Sequence, residues 1–213
     1  MLARARRRHL PPPAPTPVQV GTAGAMSAGG TARATFAVAP KAGNVLVAVI
    51  GSLPSGATEA WPSGFAAGPS ASLGSSHPMI TTWLKIADGS ELSVSFSGDA
   101  NQGGIQIYEI AHVGTNFGAY ISNTSTSGSA TSFAAPPVSP TGPAVVLTAA
   151  SNYTWPSDAQ ISAPWVEDCL LLNPRDLLAA HQVLDASGAV SGTYSRASAG
   201  TLPEAAFVTL ALQ

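Results

Sequence analysis

Charge is what this sequence has least of. Only 9% of its 213 residues are Asp, Glu, Lys or Arg, against roughly 25% in ordinary globular chains. Its surface must therefore be built from Ser, Thr, Ala, Gly and Pro, an unusual coat for a free cytosolic enzyme. Cysteine is nearly missing. Cys169 stands alone, which excludes an internal disulfide framework and a Cys-based structural zinc site, since each needs at least two thiols from one chain. No apolar run reaches the roughly 20 residues that span a bilayer. The opening arginines lead into Pro11, Pro12 and Pro13 rather than an apolar segment, so neither a membrane partner nor a secretion signal is expected.

What is present is enough for one domain with a sizeable core, because 45% of the residues are hydrophobic. The formal charge of -2 conceals an asymmetry. Arg4, Arg6, Arg7 and Arg8 supply four of the nine basic residues, leaving five against eleven acidic ones, or -6, for the remainder. With Pro11, Pro12, Pro13, Pro15 and Pro17 behind them, residues 1–17 read as an extended, basic, proline-rich docking arm. Residues 18–213 then form the domain. Arginines on such an arm suit acidic groups of a neighbouring subunit or nucleic acid, and the blander reading is a disordered tail.

From Val18 onward the recurring unit is a short run rich in Val, Ile, Thr and aromatics, bounded by Gly, Pro, Ser or Asn. Glu91–Gly98 is the clearest strand, with Leu92, Val94 and Phe96 alternating against Ser93, Ser95 and Ser97. Asn44–Ser52, Gly104–Val113 and Ala205–Leu212 are apolar on both faces, as in central strands covered on both sides. Arg175–Leu184 is ambiguous: Asn173 and Pro174 resemble a helix start, yet the run is short enough for a strand. About eleven or twelve strands without alternating helices predict an all-β, antiparallel β-sandwich of jelly-roll type. No fixed-period repeat is visible. Leu53–Ser76, Thr124–Pro143 and Ser151–Pro164 read as long loops, where binding residues collect.

Motifs for catalysis are missing. There is no Gly-x-Ser-x-Gly, no phosphate-cradling loop, and no pairing among His9, His77, His112 and His181 that would mark a metal site. No cofactor, metal or nucleic acid is expected. Glu109 and Glu167, with Asp168 beside the latter, sit in strand-like runs, and two such carboxylates facing each other at roughly 5 to 9 Å would suit glycoside hydrolysis. The blander reading is salt bridges or solvent. Asp88, Asp99 and Asp158 fall in turns and read as turn formers. Trp61, Tyr153 and Trp155 lie in Pro-containing loops, where exposed rings would stack on a sugar or anchor a partner. The alternative is that they cap the sandwich.

Taken in order, GNVLVAVIGS (43–52), the Trp-Pro-x-Gly-Phe of residues 61–65, TWLKIADGSELSVSFSG (82–98) and IQIYEIAHV (105–113) resemble a β-sandwich module of bacteriophage structural proteins. Related modules occur in bacterial surface proteins. In that family a G-N-L-L-V-A strand precedes a G-W loop, a strand ending K-I-A, an alternating Ser/Thr strand and an E-Y-x-G-V strand. This chain departs at the last, reading Tyr-Glu-Ile-Ala-His-Val over 108–113. The shared motifs are those of packing and turns, so the resemblance implies a fold and transfers no catalytic residue. It leads to the expectation of a non-enzymatic virion component: a capsid decoration, head appendage or tail protein. Capsid or tail subunits and further copies of the chain would be its partners. A carbohydrate- or receptor-binding module using Trp61, Tyr153 and Trp155 on a host-surface glycan is the alternative.

Overall fold

In the computed structural model the described residues are 13–26, 30–52, 60–74, 78–98, 103–114, 120–126, 130–152, 155–172 and 177–213. Among them there is no helix. The first half of the chain contributes β1 (Thr16–Val20), β2 (Gly24–Ala25), β3 (Thr31–Thr35), β4 (Val45–Ser52), β5 (Ala66–Ser72), β6 (Met79–Ile86), β7 (Ser93–Ser97) and β8 (Gly103–Ala111). The second half contributes β9 (Tyr120–Thr126), β10 (Ser132–Ala134), β11 (Ala144–Asn152), β12 (Ala159–Ile161), β13 (Val166–Leu171), β14 (Leu177–Leu184), β15 (Thr193–Arg196) and β16 (Ala205–Leu212).

Alternation and local apolarity explain these elements. β7 buries Val94 and Phe96 and turns its serines outward, while β4, β8, β11 and β16 are buried along their whole length. Strands apolar on both faces need cover on both faces, and that is how the layers are arranged. One sheet runs β1-β8-β4-β6-β5, with β2 sharing the β1 edge, and the other runs β13-β14-β11-β16-β9. The two pack face to face around Val45, Val47 and Val49 of one and Val145, Leu147 and Ala149 of the other. The outer face of the first sheet is covered by β3 and β7 over Leu46, Ala48 and Ile50. The outer face of the second is covered by β10, β15 and β12 over Val146, Ala150 and Phe207. The all-β antiparallel sandwich is therefore present, in four layers.

The strand order shows what the sequence did not: the two halves of the chain repeat one topology. β1, β8, β4, β6 and β5 take the same places in the first sheet as β9, β16, β11, β14 and β13 take in the second. The β3–β7 pair matches the β10–β15 pair, with Phe96 opposite Ala32 in one and Tyr194 opposite Phe133 in the other. β5 and β13 each carry a bulge, at Ala67/Ser70 and Glu167/Cys169. Each large sheet is drawn from one half of the chain, and within each half the chain passes between that sheet and its outer cover, from β3 to β4 and from β6 through β7 to β8 in the first, and from β10 to β11 and from β14 through β15 to β16 in the second.

Three local expectations also change. The ambiguous run before Leu184 is strand β14, because its apolar residues are needed between β11 and β13. The segment read as a loop at 53–76 contains β5, whose Gly68 and Pro69 are tolerated at a bulged sheet edge. The boundary at residue 17 moves as well. Thr16 and Pro17 already pair with Ala111 and Ile110, and Pro15 is buried, so the sandwich begins before Val18. Pro17 fits there because an edge strand can forgo an amide donor.

Candidate functional site

The aromatic residues marked by the sequence do not form one surface. Trp155 is 2% exposed and stacks on Tyr194 with ring centroids 6.2 Å apart, inside the outer layer of the second half. Trp61 is partly buried in the outer layer of the first half, stacked on both Trp83 and Phe96 at 5.1 and 5.2 Å. The two central sheets separate these layers. A shared stacking platform is thus corrected to two closures, one at each outer layer, because a large ring beside a proline fills the gap where a loop leaves a sheet. Tyr153 lies outside the described residues, as do Arg4, Arg6, Arg7, Arg8, Pro11 and Pro12. Pro13 is exposed and lines a cleft of about 340 Å³ with Pro15, His112, Pro143 and Gln213.

The carboxylates are held by the fold. Glu109 is 1% exposed and accepts from the Gln19 side chain at 2.6 Å, the Lys41 amide at 2.7 Å and the Asn44 side chain at 2.5 Å. It ties the edge strand β1 and the turn before β4 to β8. Its neighbour Tyr108 points to the opposite face of β8, where its hydroxyl donates to Asp168 at 2.9 Å across the two sheets. Asp168 also lies 2.8 Å from His181 Nδ1. Glu109 and Asp168 therefore sit on opposite faces of one sheet and do not converge. Burial first, and Asp168 second, push the Tyr108 hydroxyl well above its usual range. Glu167, exposed on β13, has its carboxyl raised by partial burial and then by repulsion from Asp168.

Of the acids expected to form turns, Asp88 bonds within its own turn, whereas Asp158 ties its turn to another segment, at Arg196 and Ser198. Asp88 accepts from the Ser90 amide at 2.9 Å and Asp158 from the Ser198 amide at 2.9 Å. The Ser198 hydroxyl and amide, followed by Arg196, hold Asp158 down at about 2. Asp99 lies outside the described residues. Among the described residues no three His, Cys, Asp or Glu side chains gather as a metal site requires.

A groove of about 300 Å³ opens on the outer layer of the first half, between the 60–65 loop and β7. Its walls are the edges of Trp61 and Phe65, the serine row of β7, and an ion cluster in which Lys85 Nζ lies 2.7 Å from Glu91 and 3.0 Å from Asp88. Glu91 and then Asp88 hold the Lys85 ammonium above its ordinary range. Gly64, at φ +78, lets the loop turn back toward β5. The sequence had marked Trp61 but not its neighbours, since Lys85, Glu91 and the serines carry no motif and meet only through the pairing of β6, β7 and the loop.

The second half has a counterpart at the same place, and it is closed. Trp165 occupies the position of Phe65, is 7% exposed, and donates from its indole to the Ser191 carbonyl at 3.3 Å. Gly192 leaves room for it, because a Cβ there would stand 2.6 Å from the Trp165 Nε1. Compared with known proteins, the chain matches no protein family, no curated protein and no solved structure.

Proposed function

We propose that the chain is a non-enzymatic structural component of a tailed-phage virion. Its partners in this reading are capsid or tail subunits and further copies of itself. The observation that carries this reading is the edge strand β1. It follows directly on the basic, proline-rich segment, lies at the end of its sheet, and leaves Val18 52% and Val20 36% exposed. Free edges with apolar side chains invite pairing with another chain unless charge or a bulge protects them. Thr16–Val20 carries no charge; Pro17 and the bulge between Pro17 and Gln19 are what blunt this edge, and Val18 and Val20 stay exposed beside them. An uncovered edge of this kind suits a subunit whose edge is covered in an assembly.

Two further features support the reading. Glu109, Asp168, Asp158 and Asp88 are each engaged in bonds that hold the fold, as a scaffold requires. The residues that resemble the phage module, 43–113, form β4 to β8, the continuous block of the first sheet and its cover. The experiment is incorporation of the full chain into tailed particles, comparing wild type with a double Val18→Lys, Val20→Lys variant. Incorporation by wild type and loss in the variant support the proposal. Equal incorporation would remove β1 from the assembly surface, and none for either would remove the virion role.

A further inference from the structure

The two halves differ at one turn, and the difference uncovers backbone. In the second half the Ser162 amide donates to the Thr193 carbonyl at 2.9 Å, and its hydroxyl accepts from the Thr193 amide at 3.0 Å. In the first half Pro62 stands where Ser162 stands, and Ser95 where Thr193 stands. The register fixes this equivalence: Ala60 bridges Ser97 as Gln160 pairs with Ser195. So do the turn bonds, from Phe65 to the Pro62 carbonyl and from Trp165 to the Ser162 carbonyl. Proline has no amide proton and no hydroxyl, so Pro62 can make neither bond. Phe36 bonds Leu92 on the β3 side and Ala60 bonds Ser97 on the other. That alternation turns the Ser95 N–H and C=O away from β3 and into the groove. Among the described residues they have no partner.

We propose that this groove binds a neutral saccharide. The Ser95 backbone offers one donor and one acceptor, and the Ser93 and Ser95 hydroxyls offer both, while the Ser97 hydroxyl is shared with Thr31 at 3.0 Å. The edges of Trp61 and Phe65 supply an apolar wall for the C–H face of a sugar ring. Charge selects against acidic ligands, because Lys85 is already matched by Asp88 and Glu91, leaving one cation against two carboxylates. Size selects against a peptide strand. The free edge of β7 is closed at one end by the Ala60–Ser97 bridge and at the other by Glu91, too short for strand addition. A volume of about 300 Å³ lies at the small end of roughly 300–1,000 Å³ for ligand pockets, which fits a short oligosaccharide. The closed counterpart around Trp165 and Ser162 shows how the same architecture looks when its own side chains fill the space. The inference stands independently of any virion role.

The test is an NMR titration of the full chain with glucose, galactose, mannose, N-acetylglucosamine and their di- and trisaccharides, with sialyllactose and a Thr-Val-Thr-Val-Thr peptide as rivals. Saturable shifts of the Ser93–Ser97 and Gly64 amides with a neutral saccharide are expected. Pro62→Ser, which restores the closing bonds of Ser162, weakens that binding by roughly tenfold, the loss for two neutral hydrogen bonds. Ser95→Trp, at an exposed position, blocks the groove and decides the matter should Pro62→Ser not fold. The proposal is overturned if no neutral saccharide shifts these amides, if only sialyllactose or the peptide does, or if a folded variant binds as tightly as wild type.

Discussion

Tyr108 and Asp168 join the two halves of the chain through a hydrogen bond of 2.9 Å across the central sheets. The core of that interface is mainly apolar, from Val45 and Ile110 on one side to Leu147 and Leu210 on the other. Apolar packing supplies most of the cohesion, but it leaves two similar sheets free to slide, and a buried polar pair fixes one register.

Tyr108→Phe is expected to keep the packing and leave Asp168 with His181 as its remaining side-chain partner. An under-satisfied buried carboxylate costs about 1–3 kcal/mol. Urea unfolding should show that loss as a lower midpoint at unchanged slope. An unchanged midpoint would mean that the bond contributes nothing to holding the halves together.

Glu109→Gln replaces a buried carboxylate that accepts three hydrogen bonds by an amide that must present donors to donors. A fall of about 2–4 kcal/mol is expected, above the 1.5–3 kcal/mol typical of one charge-assisted bond. The effect should be local before it is global. Hydrogen exchange should speed up first at β1, because Gln19 and the Lys41–Asn44 turn lose their shared acceptor.

Trp155→Ala removes a ring that is 2% exposed and stacked on Tyr194. Deleting a buried aromatic costs about 3–5 kcal/mol, so the variant should unfold at markedly lower temperature, with saccharide binding in the groove of the first half unchanged. Loss of binding without loss of stability would return Trp155 to the surface role that its loop position implied.

Cys169 packs against the inter-sheet core, and burial pushes its thiol up to about 12, from 9.0. An unfolded thiol therefore ionises first as pH rises, while the folded one stays neutral. Stability from this group is constant below about pH 9 and declines between 9 and 12. Buried Tyr108 and Tyr194, also raised by burial first, act in the same direction. Iodoacetamide at pH 8 should label the native chain far more slowly than the unfolded one; equal rates would contradict the burial.

Much of the sandwich was legible because single strands announce themselves. Val94 and Phe96 alternate with serines, and Val45–Ser52 and Ala205–Leu212 are apolar on both faces; each became the strand expected of it. The repeated topology was not legible, because equivalent positions share burial rather than identity: Val94 matches Gly192, and Phe65 matches Trp165. The visible echo misleads. Trp-Pro-Ser occurs at 61–63 and again at 155–157, yet the strand register aligns Pro62 with Ser162. β5 was hidden by Gly68 and Pro69, and the groove by its dependence on which residues lack a partner, a property no sequence pattern displays.

The virion role is tested most directly by the mass and sedimentation of the purified full chain, alone and mixed with tailed-phage particles. The comparison is wild type beside a variant with Arg4, Arg6, Arg7 and Arg8 all changed to Ala. The account predicts that wild type travels with the particles and that the variant, equally folded, remains behind. A well-behaved monomer that ignores the particles in both forms would contradict it.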